Sequence, residues 1–135
     1  MLREDGIVMD DGTTTRISEN HYHMTTTTAQ AANVLSHLEY YLQLVWPELN
    51  VNVISTTEQW AGAAIAGPKS RDLLQKLFPN IDASNEGLPF MGYQEADLFG
   101  VHARIFRISF SGELAYEVNV ESDNGNFMWE KIMEV

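Results

Sequence analysis

Prolines at 47, 68, 79 and 89 limit how long any element of this chain can run. Inside a helix a proline removes a backbone donor and clashes with the preceding turn, so each marks a boundary. Before Pro47, Leu35, Leu38, Leu42 and Val45 recur at intervals of three and four, which predicts a helix over 29–46 with one apolar stripe. Gly67-Pro68 opens a second helix, since proline fits the first helical position, where its missing N–H is not needed. Leu73, Leu74, Leu77 and Phe78 supply the buried face of that helix, and Pro79 ends it. Residues 80–89 then read as loop.

The remaining segments lean towards strand. Ile7 to Thr15 and Asn20 to Thr26 are rich in Thr, Ile, Val and Tyr, and read as a hairpin turning at Ile17-Ser18-Glu19-Asn20. Thr27 or Thr28 is placed to cap the first helix, because a threonine oxygen accepts an unpaired first-turn N–H. Val51 to Ser55 alternates as a strand, and Gln59 to Ala66 follows as another. Tyr93 to Leu98 and Val101 to Ser109 predict two strands turning at Phe99-Gly100. Ala115 to Val120 is the last strand, before a third helix over Asn126 to Val135. The order ββαββαβββα, with hairpins and few crossovers, predicts an α+β fold: a mainly antiparallel sheet with three helices. The abrupt start and the final helix, which has no glycine cap or trailing proline, suggest a segment of a larger protein.

Composition excludes several functions. A formal net charge of −11 disfavours nucleic acid, whose phosphates need clustered Lys and Arg, and equally an anionic membrane surface. No apolar run approaches the roughly 20 residues that span a bilayer, and charges stand where a secretory signal would be apolar. With no cysteine there is no disulfide, thiolate metal site or thiol nucleophile, which is compatible with a reducing, cytoplasmic compartment. The glycines match neither dinucleotide nor P-loop patterns, and G-x-S-x-G is absent.

Three local groupings invite chemistry. His21 and His23 alternate along a strand and share one face; with Asp10, Asp11 or Glu19 they form a possible zinc set. No third ligand stands at a defined interval, so a solvated strand face is the plainer reading and no metal is assigned. Asp10-Asp11 sits between an apolar run and a polar one, where it reads as a turn or as a carboxylate aimed at a ligand. Phe110 and Gly112 mark a turn at which an aromatic ring can cover a planar ligand. Glu117 interrupts the apolar strand Ala115-Tyr116-Glu117-Val118 and shares a face with Ala115 and Asn119. An exposed strand carboxylate is the plainer reading there, because a lone buried Glu is rare.

Three blocks in order carry a resemblance. Gly6-Ile7-Val8-Met9-Asp10-Asp11 resembles the G-G-V-I-D-D segment of the aminomethyltransferase (glycine-cleavage T-protein) family. Ala66-Gly67-Pro68-Lys69-Ser70-Arg71 resembles that family's Q-G-P-K-[AS]-R, and Arg107 to Glu117 its R-x-G-Y-T-G-E-x-G-Y-E. The fuller wording is most similar to the branch of the family found in the alpha subunits of heterotetrameric sarcosine oxidases. The resemblance covers nearly the whole chain, and implies that residues 1–135 are the central portion of a tetrahydrofolate-binding domain.

The resemblance implies roles residue by residue. Asp11 matches the aspartate beside the folate nitrogens that receive a one-carbon unit, where a carboxylate orients or deprotonates the amine as it attacks an imine. Asp10, facing the other way, is then structural. Glu117 matches the glutamate that takes the pterin edge, accepting an amino group and a ring N–H together. Phe110 matches a tyrosine, keeping the aromatic surface without the hydroxyl. Ser109 and Ala115 stand where the family has glycine. The parent is expected to oxidise sarcosine, with FAD, FMN and NAD held in other parts of the complex and other sarcosine oxidase subunits as partners. The competing readings are a non-catalytic folate-binding or assembly module of the same fold, a T-protein aminomethyltransferase, or an acidic interaction domain with a His-lined metal site.

Overall fold

A four-stranded antiparallel sheet in the second half of the chain carries the hydrophobic core, in a computed structural model that describes residues 1–135. Contacts divide the chain into two units, Met1–Thr57 and Glu58–Val135. No helix in either is long and apolar enough to cross a membrane.

In the first unit, strands β1 (Thr14–Ser18) and β2 (His21–Met24) form the expected hairpin, turning at Glu19-Asn20 with a bulge between Arg16 and Ser18. The first strand starts later than the pattern suggested. Residues 1–9 fold back on themselves: Leu2 bridges Val8, and Gly6 turns the chain at φ 78°. That turn uses up the apolar run at Ile7-Val8 before the hairpin begins. Helix α1 (Ala31–Tyr40) passes into a π-helical turn over Tyr41–Val45, closed by Trp46 N–H donating to the Tyr41 carbonyl at 2.7 Å. Val34 is buried and Leu35, Leu38 and Leu42 of the stripe are half-buried, whereas Val45, at the end of the wider turn, lies 42% exposed.

Val51–Ser55 forms no ladder, which corrects the strand expected there. Val51 N–H instead bonds back to Leu49, and Ile54 stays exposed. Alternation specifies faces, but a strand also needs a neighbour to satisfy its backbone.

In the second unit, β3 (Trp60–Ala66), β4 (Tyr93–Leu98), β5 (Val101–Phe106) and β6 (Ala115–Glu121) assemble in the order β3-β6-β5-β4, all antiparallel. Alternation divides each strand between two faces. Ile65, Ala103, Ile105, Tyr116, Val118 and Val120 point into the core, which Leu74 and Leu77 of α2 (Ser70–Leu77) and Met128 of α3 (Gly125–Glu134) complete. Both helices therefore cover one face. The opposite face carries Trp60, Gly62, Ala64, Arg104, Glu117 and Asn119, as the cross-strand partners show. Burying apolar surface on one face alone is a common solution for antiparallel sheets. The class is α+β with three helices, as the pattern predicted; the observed order, ββαβαβββα, is one strand shorter.

Candidate functional site

The two aspartates of the first unit have opposite surroundings. Asp10 is buried: its Oδ2 accepts Thr27 N–H at 2.9 Å and its Oδ1 accepts the Thr27 hydroxyl at 2.8 Å. Loss of water around Asp10 raises its carboxyl, but those bonds and the Asp11 N–H outweigh it and hold Asp10 below the ordinary carboxylate range. Thr27 thus serves Asp10 and gives no side-chain cap to the following turn, contrary to the capping role expected of it.

Gly12 fixes the same loop from the other side. A Cβ there would lie 1.9 Å from the Thr25 carbonyl oxygen, so only glycine lets the two backbones cross. Between these anchors Asp11 is exposed, with Oδ1 accepting Gly12 N–H at 2.8 Å. Its Oδ2 has no hydrogen-bond partner in the chain. The loop is therefore tied on both sides of one outward carboxylate.

His21 is exposed and His23 half-buried. Neither joins a group of three or more His, Asp or Glu residues that could hold a metal ion.

In the second unit Glu117 occupies the middle of the sheet, opposite Ala64 on β3 and Phe106 on β5, on the face without helices. It is half-buried, where the sequence alone favoured an exposed side chain. Burial pushes its carboxyl up, and no protein donor compensates. Phe110 stands at the apex of the loop between β5 and β6, with its ring fully exposed. Gly112 turns that loop at φ 90°, and its N–H donates to Ser109 Oγ at 2.8 Å.

The G-P-K-S-R block has a structural task that its sequence does not disclose. Gly67 N–H at 2.9 Å and the Ser70 hydroxyl at 3.0 Å both donate to the Leu114 carbonyl. Arg71 Nε donates to the buried Tyr116 hydroxyl at 3.1 Å and its Nη2 to Asn85 at 2.7 Å. Two blocks far apart in sequence thus meet at the start of β6 and fix the strand that presents Glu117. Arg107, first residue of the third block, donates to the Leu88 carbonyl at 2.9 Å and ties the other end of the Phe110 loop.

Sequence reasoning also passed over Arg104 and Trp60. The Arg104 guanidinium lies 4.0 Å from the centre of the Trp60 ring, on the same face as Glu117. Strand register would have found the shared face; the stacking itself is a tertiary fact.

Comparison with known proteins gives a consistent result. The family model described as GCVT N-terminal domain matches residues 1–135. The chain is 52% identical over 136 residues to the sarcosine oxidase subunit alpha of Rhizobium meliloti (strain 1021), covering 99% of this chain and 14% of that protein. It is 50% identical over 133 residues to the sarcosine oxidase subunit alpha of Corynebacterium sp. (strain P-1), covering 98% and 14%. An aminomethyltransferase of Staphylococcus saprophyticus is 28% identical over 134 residues, covering 99% of this chain and 35% of that protein. The chain thus spans about one seventh of the length of these alpha subunits.

Proposed function

Because this chain belongs to the GCVT N-terminal domain family, we propose that it is the tetrahydrofolate-binding, one-carbon-transfer segment of a polypeptide like the alpha subunit of sarcosine oxidase. The observation that carries the reading is Glu117, a half-buried carboxylate in the middle of an open sheet face with no protein donor. Burying such a group is costly unless something supplies hydrogen bonds. A pterin edge, with an amino group beside a ring N–H, supplies two donors in the plane of one carboxylate.

Bound tetrahydrofolate brings the amine nitrogens that take up the one-carbon unit. The chain contributes binding and a proton acceptor. Asp11, outward and with Oδ2 unengaged, takes the proton released when a folate nitrogen forms its new bond. Phe110 offers an exposed aromatic face against the flat ligand. Amine oxidation, with its flavins and NAD, belongs to other parts of the parent complex and to its other subunits.

The test is the product formed by the complete enzyme. Asp11→Asn is expected to leave sarcosine consumption intact while slowing 5,10-methylenetetrahydrofolate formation by about 10²–10⁴-fold, with formaldehyde released instead. The 135-residue chain alone should not oxidise sarcosine. If Asp10→Asn diverts the product and Asp11→Asn does not, the assignment of the pair is wrong.

A further inference from the structure

The threonine run Thr25 to Thr28 does more than end a strand. The register of β1 and β2 closes at Thr14 opposite Met24, and Thr25 N–H extends it by one bond, to the Thr13 carbonyl at 2.8 Å. Beyond that point threonine side chains take over. Thr25 Oγ1 accepts Thr13 N–H at 3.0 Å and shares a hydrogen bond of 3.0 Å with the Thr13 hydroxyl. Two residues on, Thr27 gives both its N–H and its hydroxyl to the Asp10 carboxylate.

These two anchors are out of step by one residue. If the pairing of Thr13 with Thr25 simply continued, Asp11 would face Thr27 and Asp10 would face Thr28. Instead Asp10 meets Thr27, so Asp11 and Gly12 together stand opposite Thr26 alone. Two residues against one is the count of a β-bulge, which bends the strand and re-aims a side chain. Gly12 has no side chain to aim, so the group turned outward is the exposed Asp11 carboxylate. A hydroxyl tether on each side of the bulge limits how far that carboxylate swings.

We propose that Thr25 and Thr27 are positioning residues for Asp11: their hydroxyls close the chain on either side of the Asp11-Gly12 bulge and fix the carboxylate for proton transfer. This rests on the reading that Asp11 takes the proton released by the folate nitrogen. Both threonines act through Asp11, without touching the ligand. A reacting group displaced by about 1 Å can slow its step by roughly 10²-fold. The two hydroxyls therefore govern the rate of one-carbon capture, and leave folate affinity to other residues.

The experiment uses the full-length enzyme and its Thr25→Val and Thr27→Val variants, which keep the side-chain shape and remove the hydroxyl. Thr25→Ser and Thr27→Ser restore a hydroxyl. The readouts are 5,10-methylenetetrahydrofolate and formaldehyde formed per sarcosine consumed, tetrahydrofolate affinity by calorimetry, and a thermal melt to establish folding. Each valine variant should slow capture about tenfold or more, diverting product to formaldehyde at unchanged folate affinity. Each serine variant should recover most of the capture. The two positions carry the comparison independently, so one that does not fold leaves the other to decide. Undiverted product in a folded valine variant would overturn the proposal, as would a folate affinity that falls in step with capture. Serine variants as slow as the valine ones would do the same, since the hydroxyl would then not be the cause. Thr27→Val added to Asp11→Asn should slow capture no further, because groups acting through one another are not additive; a further loss would show an effect that bypasses Asp11. Asp11→Asn alone tests the underlying reading. If it leaves the product unchanged, that reading falls and the positioning role with it; if it diverts product and neither valine variant does, only the positioning role falls.

Discussion

Replacing Glu117 by glutamine should separate stability from binding. The carboxylate is half-buried, and burial raises its proton affinity in the folded protein above the ordinary 4.5. The folded state therefore binds more protons than the unfolded chain over the interval between those two values. The desolvation cost is absent below the unfolded value and complete above the folded one, so wild-type stability falls as pH rises through that window. Glu117→Gln has no such step: at pH 7 it should be at least as stable as wild type, and its melting temperature should be flatter from pH 4 to 7.

Binding should change in the opposite direction. Glutamine offers one carbonyl acceptor and an NH₂ that faces donors on the pterin. Hydrogen bonds to a charged partner are worth about 1.5–3 kcal/mol, which corresponds to roughly a ten- to hundredfold loss of folate affinity. In the wild type, affinity should rise with pH as Glu117 ionises, and the variant should lose that dependence. Calorimetric titration with tetrahydrofolate at pH 5 and pH 7, beside melts over the same range, measures both. Unchanged affinity, or a variant clearly less stable at pH 7, would refute the reasoning and make Glu117 an ordinary member of the sheet.

Other substitutions test the frame around the site. Asp10→Ala strands the Thr27 donors and should lower the melting temperature by several degrees at neutral pH, measured by circular dichroism. Because the Asp10 carboxyl is held below its ordinary value when folded, its contribution should vanish as pH falls through that lowered value, so wild type and variant melts should converge in acid. Gly12→Ala pushes a methyl group into the Thr25 backbone and should cost about 1–3 kcal/mol in urea unfolding. Ser70→Ala removes one of two donors to Leu114 and should cost about 1 kcal/mol by the same measurement, with a modest loss of folate affinity.

Much of this architecture was legible in the residues themselves. Pro79 marked the end of α2 and Gly100 the turn at Phe99-Gly100, because proline restricts and glycine releases the backbone whatever surrounds them. Gly67-Pro68 lies in the turn just before α2, which starts at Ser70 and not at the proline. Alternation assigned the faces of β6, placing Glu117 and Asn119 opposite Tyr116 and Val118. It also set the Asp10 and Asp11 side chains apart, one buried and one exposed, since neighbouring side chains on an extended backbone point to opposite sides. Three separated blocks identified the family and with it the candidate residues.

What the residues did not determine depends on which segments come together. Val51–Ser55 alternates as a strand should, but no neighbour satisfies its backbone, and it remains unpaired. The burial of Glu117 could not be read from one strand, because it depends on the strands on either side and on the face the helices leave open. The clamp from Gly67, Ser70 and Arg71 onto the start of β6 joins residues more than forty positions apart. Arg104 on Trp60 likewise needed β5 and β3 to lie on either side of β6. Local rules act on a few neighbouring residues through steric and hydrogen-bonding preferences, whereas burial and pairing are set by the whole fold; the tertiary structure alone decided which polar groups were left without a partner in the chain.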